Sequence, residues 1–263
     1  MTPSLAEWAD LVRLGRGRLR SPEAYQEFQR FQGDLLVRHL AGQGVTLAGS
    51  RVVDVGCGYG GYASALQAAG AGVVAVDLLS ADWPRDLMPG LTAVAANGLS
   101  LPFAAASADL VVCASLVEHV ASPERLLAEL HRISRPGGLV YISFPPFYTP
   151  RGGHQFSPFH YLGERRALRM ARRFGRLHES DWVRATFPAD PDSFSTAWGD
   201  WGLYRMTIGR FEGLLGKTDY VVRDRSTRLL PVDFSGIPLL RELLTWHVQY
   251  LLEKPVPARR RDG

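Results

Sequence analysis

Apolar and polar residues change their spacing several times along the chain, and each change marks an element. Over residues 4–41, Tyr25, Phe28, Phe31, Leu35 and Leu36 recur mostly at intervals of three or four, the period of a helix with one apolar face. Ser21–Pro22–Glu23 ahead of them reads as a helix start. From 51 to 145 two textures alternate. Arg51–Val55, Gly72–Asp77, Asp109–Ala114 and Leu139–Phe144 are short and apolar or β-branched, as strands covered on both faces are. Gly61–Ala69 and Pro123–Ile133 read as helices, and Ser122 before Pro123 suits an N-cap followed by the first helical residue. Strand–helix alternation of this length predicts an α/β fold built on a doubly wound parallel sheet with right-handed crossovers.

The texture breaks at Pro145. Residues 145–205 crowd aromatics, among them Phe147, Tyr148, Phe156, Phe159, Trp182, Phe187, Phe194, Trp198 and Trp201, between Gly, Pro, His and Asp. That aromatic density predicts a folded cap rather than a disordered insert, with helical period only near Gly163–Phe174. A helix over 205–215, a strand at Asp219–Arg225, a helix at Pro238–Leu244 and a last strand at His247–Glu253 follow. The organisation expected is an N-terminal helical lid over 1–48, a core over 49–145, a cap insertion over 146–204, closing helices and strands of the core over 205–254, and a basic tail over 255–263.

Composition narrows the class of protein. With 46% apolar and 21% charged residues in 263, the chain is ordinary globular material, neither disordered nor fibrous. Two cysteines, Cys57 and Cys113, cannot make a disulfide framework. The first twenty residues scatter charges through any apolar run, unlike a secretory signal, and no stretch is long and apolar enough to span a bilayer. The expected compartment is a reducing cytoplasm. Net charge is +4, and all 30 basic residues but Lys217 and Lys254 are arginine. They are dispersed except in Arg259–Arg260–Arg261, so the charge demands no nucleic-acid partner.

The chemistry gathers at Asp54-Val-Gly56-Cys-Gly58-Tyr59-Gly60-Gly61, where a strand runs into a glycine-rich turn and a helix. Glycines let the chain turn tightly and let a ligand approach the backbone. Asp54 stands two residues before Gly56, where a carboxylate meets a cationic group or braces the turn. Asp77 ends the next strand, 21 residues after Gly56, where a carboxylate accepts ribose hydroxyls. Asn97 and Gly98, ahead of Leu101–Pro102–Phe103, fall in the exit loop of a third strand, where Asn97 suits an adenine amino group.

These motifs, together with Leu116-Val-Glu118-His119-Val120 and Arg135-Pro136-Gly137-Gly138, resemble those of the class I S-adenosylmethionine-dependent methyltransferases, in particular the small-molecule, ubiquinone-pathway-like subgroup. The resemblance covers about residues 35–145, and Asn97 stands where that family usually has Asp. It implies a seven-stranded, mostly parallel, Rossmann-like sheet whose last strand is antiparallel. It also implies S-adenosylmethionine as cofactor. Gly56, Gly58, Tyr59 and Gly60 would cradle its methionine and ribose part, with Asp54 beside them. Asp77 and Leu78 would hold the ribose, Asn97 and Gly98 the adenine, and Ser115 would face the cofactor from the fourth strand. Pro136–Gly137–Gly138 would turn into the fifth strand. A nicotinamide dehydrogenase leaves Asp54 and the Leu101–Pro102–Phe103 loop unexplained.

Methyl transfer from a sulfonium asks the protein mainly for alignment, and aromatic faces such as Tyr25 or Tyr59 suit the cation. A hydroxyl acceptor must also lose a proton, for which histidine is the natural base near neutrality. His154 is the first candidate, with Gly152–Gly153 letting the backbone near a substrate; His119, past the fourth strand, is second and His160 third. His39, His131 and His178 read as surface residues and His247 as structural. Glu118, His119 and His154 would bind a divalent ion only if more oxygen ligands joined, and no metal is expected. The cap's aromatics with Asp181, Asp190, Asp192 and Asp200 favour a sugar-like small-molecule acceptor. A phenolic or lipid natural product, or a catalytically silent cofactor-binding scaffold, are the alternatives.

Overall fold

The computed structural model describes residues 4–78, 86, 88–174, 192–197, 202–228, 230, 232–238 and 240–257. Two helices open the chain. α1 (Leu5–Gly17) starts at a reciprocal capping box, Ser4 with Glu7, and α2 (Pro22–Gly42) at Ser21, whose hydroxyl accepts from the Ala24 amide; each satisfies amides that a helix start leaves over. The described strands form one sheet in the order β3-β2-β1-β4-β5-β7-β6. These are β1 (Arg51–Val55), β2 (Gly72–Asp77), β3 (Thr92–Ala95), β4 (Ala108–Ala114), β5 (Ser134–Phe144), β6 (Val221–Thr227) and β7 (Val248–Glu253). β1 to β5 are parallel, and β7 runs antiparallel to both β5 and β6. This is the expected seven-stranded, doubly wound, Rossmann-like sheet.

Both faces of the sheet are covered. α3 (Gly61–Ala68) and α2 lie on one, where Leu36, Leu40, Leu66 and Tyr141 are buried. α4 (Pro123–Ile133) and α6 (Ile208–Leu215) lie on the other, over Leu126, Leu130, Phe144, Phe211 and Tyr250. Beyond β5, short helical turns and α5 (Glu164–Arg173) enclose a separate cluster of Phe147, Phe156, Leu168 and Phe194. α7 is short (Arg241–Leu244). The carboxyl ends of β1 to β5 share one edge, where ligands of open parallel sheets bind.

Several expectations change. His39 is buried rather than at the surface: α2 lays it between Tyr141 and Gln249, with Asp224 Oδ2 3.4 Å from its Nε2. Pro136–Gly137–Gly138 lies inside β5 instead of forming a turn before it, because Gly137 N–H donates to Lys254 O and Lys254 N–H to Gly138 O, prolonging the pairing with β7. The helix expected from Pro238 begins only at Arg241. Gly152 and Gly153 serve the loop's own packing: a Cβ on Gly152 would meet Pro146 O and on Gly153 the His160 ring. Trp182, Phe187, Trp198, Trp201, Asp181, Asp190, Asp200, His178 and the arginine tail lie outside the described residues.

Candidate functional site

The turn between β1 and α3 is held from both sides. Gly56 N–H and Cys57 N–H both donate to Val76 O of β2, at 2.8 and 3.0 Å, and Gly60 N–H to Cys57 O at 2.9 Å. Gly56, Gly58 and Gly60 all have positive φ, between 53° and 78°, a region that side chains with a Cβ disfavour. From the other side α2 presents Gln26 and Gln29. Gln26 Nε2 donates to Tyr59 O at 3.0 Å and Tyr59 N–H to Gln29 Oε1 at 3.1 Å. The Tyr59 ring is buried, edge-on to Tyr25 at 5.6 Å.

Two carboxylates meet at this turn. Asp77 Oδ2 accepts from Gly58 N–H at 2.8 Å and Asp77 Oδ1 from Leu78 N–H at 2.7 Å. Each oxygen keeps lone-pair capacity for a further donor, and the two backbone bonds fix where it points. Asp54 is 1% exposed. Burial, helped by the Asp77 charge, pushes its carboxyl up to about 7, and its Oδ2 has no hydrogen-bond partner. A buried carboxylate oxygen without a donor is costly. A cationic ligand group beside it would remove the cost.

Farther along the edge, Asn97 forms a turn of its own. Its Oδ1 accepts from Leu99 N–H at 2.9 Å and its carbonyl from Ser100 N–H. These bonds engage Oδ1 within the loop itself. Gly98 lies close to β1 and α4, where a Cβ would stand 3.3 Å from both Val55 and Leu126. Ser115, exposed past β4 with φ +55°, shares a hydrogen bond with His247 Nε2 at 3.1 Å. Leu78 is half exposed.

On the far side of Ser115, the 117–119 turn after β4 meets the loop after β5. His119 is buried, with Nδ1 2.7 Å from Gly202 O, and its ring packs edge-on against His154 at 4.9 Å. His154, held at φ +48°, has its Nδ1 3.4 Å from Gly152 O. Burial lowers the imidazolium pKa of His119 well below its usual value and that of His154 to about 4, so both rings are neutral at pH 7. Glu118, 1% exposed, completes the group. Burial raises its carboxyl to about 8, and neither oxygen has a hydrogen-bond partner. His160 does not join them. Its ring sits in the cap against Phe147 and Tyr161, with Nδ1 3.4 Å from Ser157 Oγ.

Sequence reasoning passed over the contribution of α2 and β6. Gln26, Gln29 and Gln32 form a polar stripe three residues apart on a face that turns inward, a visible signal. Gln32 accepts from Tyr62 Oη at 3.1 Å and from Arg228 at 2.7 Å. Arg228 is buried over the Tyr62 ring, donates to Ser143 Oγ and sits beside His247. No local pattern marks Arg228, because only the β6–β7 pairing brings it to this edge.

Residues 53–142 match the family model of the methyltransferase domain. An uncharacterized methyltransferase of Mycobacterium marinum is 39% identical over 153 residues, which cover 56% of this chain and 60% of that relative. The chain thus spans well under two thirds of the curated relative's length. Among solved structures, an S-adenosylmethionine dependent methyltransferase of Mesorhizobium loti has a TM-score of 0.54 at 20% identity, covering 82% of this chain and 96% of the other. The 1,6-didemethyltoxoflavin-N1-methyltransferase of Burkholderia thailandensis, whose structure holds its substrate and S-adenosylhomocysteine, has a TM-score of 0.53 at 18% identity, with 96% and 91% covered. At such identities the structural likeness shows the fold. The chain is thus similar to the S-adenosylmethionine-dependent methyltransferases, over residues 53–142 in sequence and over most of its length in fold, and S-adenosylmethionine is the cofactor which that similarity implies. The residues present suit it: Asp54 offers an unpartnered buried carboxylate oxygen to an ammonium, and Asp77 offers an oriented carboxylate to hydroxyls.

Proposed function

We propose that this protein methylates a hydroxyl oxygen of a small molecule. The observation that carries the reading is the division of one sheet edge into two adjoining parts. Asp54, Gly58 and Asp77 prepare one side for the cofactor; Glu118, His119 and His154 gather on the other. Tyr25 stands beside the glycine turn, its ring edge-on to that of Tyr59. When bound, the cofactor supplies an already activated methyl group, which leaves the chain to align the acceptor and remove its proton. Tyr25 and Tyr59 present aromatic rings near the glycine turn, where a cation binds favourably.

His154 is the proton acceptor in this reading. Its ring is neutral and half-buried and packs edge-on against His119. His119 orients it through the edge-on contact, and His160 is set aside because its ring belongs to the cap's packing. The acceptor preferred is sugar-like, as the aromatic cap suggests; phenolic and lipid hydroxyls share the same chemistry. No described helix is long and apolar enough to cross a membrane. Cys57 and Cys113 are free and buried, which suits a cytoplasmic setting.

The test is an assay of S-adenosylmethionine turnover over sugars, phenols and amines with product identification by mass spectrometry. Hydroxyl acceptors should be methylated, and His154→Ala should lower kcat by roughly 10²–10⁴-fold while S-adenosylhomocysteine still binds. Amine methylation alone, or full turnover by the variant, would defeat the reading.

A further inference from the structure

The Glu118–His119–His154 group is a better ion cage than its sequence spacing shows. One ligand atom from each residue lies within 4.8 Å of the other two. Three atoms so spaced share a point at most about 2.8 Å from each, against ~2.0–2.2 Å for zinc bonds to nitrogen and oxygen. A contraction of roughly 0.6–0.8 Å, within the range of side-chain rotation, closes the site. The two ring nitrogens are sorted for the task. His119 Nδ1 faces the Gly202 carbonyl at 2.7 Å, which puts its proton there and leaves Nε2 with a lone pair, 3.9 Å from Glu118 Oε1. His154 Nδ1 faces the Gly152 carbonyl in the same manner at 3.4 Å. Backbone carbonyls in this position are the usual support of a metal-binding imidazole.

The second observation is independent of the spacing. Glu118 is buried, yet neither carboxyl oxygen has a hydrogen-bond partner, so the group stays protonated until a cation displaces its proton, as ligand acids release theirs on metal binding. The backbone agrees. Ala106, Ser115 and His154 are the non-glycine residues with positive φ among those described; His154 belongs to this group and Ser115 precedes Glu118 by three residues. Such strain gathers at functional sites. His154, half-buried, is the side from which a further ligand can enter.

We propose that Glu118, His119 and His154 bind one first-row divalent transition-metal ion, with open coordination positions for the acceptor hydroxyl. Two imidazoles and one carboxylate suit such an ion better than Mg²⁺ or Ca²⁺, which want mostly oxygen. A hydroxyl oxygen bound to the ion becomes more acidic. Its O–H bond breaks with the electron pair left on oxygen, and the proton passes to water. With the ion in place His154 is a ligand, so this proposal, which rests on the methyl-transfer reading, replaces its role as free base.

The experiment uses the full-length protein freed of metal by a chelator and dialysis, then titrated with Co²⁺ and Zn²⁺ by calorimetry and visible absorption. Wild type should take up one equivalent of either ion, with Co²⁺ giving visible bands of a nitrogen–oxygen site. Glu118→Gln and His154→Gln should each weaken uptake by at least about 100-fold, and His131→Ala, outside the group, should leave it unchanged. Two separate variants are used so that misfolding of one does not decide the outcome. No stoichiometric uptake by wild type, or uptake indifferent to both variants, would overturn the proposal. A parallel titration of metal-free wild type with S-adenosylhomocysteine separates the two readings. Tight binding there with no ion uptake removes the metal and leaves the methyltransferase, whereas ion uptake without nucleoside binding removes the methyltransferase and leaves the metal.

Discussion

Asp77 gives the sharpest case at the scale of single residues. Its carboxylate is fixed by Gly58 N–H and Leu78 N–H, so in the proposed reading it would meet a ribose already oriented. A charge-assisted hydrogen bond contributes about 1.5–3 kcal/mol, and Asp77→Ala should weaken S-adenosylhomocysteine binding by roughly 10–150-fold in calorimetry. An unchanged Kd would remove Asp77 from the cofactor site. Asp54 behaves differently because it is buried. Its folded pKa of about 7 lies above the ordinary carboxylate value of 3.8, so the cofactor-free protein loses stability as pH rises from about 4 to about 7. The penalty is on the order of 4 kcal/mol at most. Asp54→Asn should flatten that part of the pH–stability curve measured by urea unfolding. A variant that follows the wild-type slope would show that another group carries it. The place of Asp54 before Gly56 was legible, but its burial and the unpartnered Oδ2 were not, since they depend on α3 closing over β1.

At the scale of elements, α2 and α3 pack closely against each other, and small residues make it possible. A Cβ on Gly33 would stand 2.7 Å from the Ala65 side chain, and one on Gly61 would stand 2.5 Å from the backbone nitrogen of Arg30. Those glycines therefore serve helix packing, although Gly61 reads in sequence as part of the ligand-binding turn. Gly33→Ala should destabilise the protein by about 1–3 kcal/mol, read as a lower urea midpoint with an unchanged slope. It should also weaken cofactor binding, because Gln26 and Gln29 of α2 hold the Tyr59 backbone. A stable variant with unaltered affinity would mean that α2 can shift without cost. Element positions were readable where the signal was local, as at Ser122–Pro123 and the β-branched strands. They failed at Pro136–Gly138, where pairing with β7 draws a glycine-rich stretch into β5.

For the molecule as a whole, the ordering of strands decides what can meet. Local spacing was enough for the parallel sheet and the glycine turn, which rest on alternating strands and helices, Asp77 at a strand end and glycines where φ must be positive. Which polar side chains gather beside that turn came from the packing of distant segments alone. Glu118 and His119 follow β4, His154 follows β5, and Gly202 comes from the far end of the cap. Likewise β6 and β7 deliver Arg228 and His247 to Ser115 and Ser143 across more than eighty residues of chain. Spacing along the chain carries no information about such meetings, since they are set by sheet order and by burial, which turns ordinary carboxylates and imidazoles into an uncharged, closely packed group.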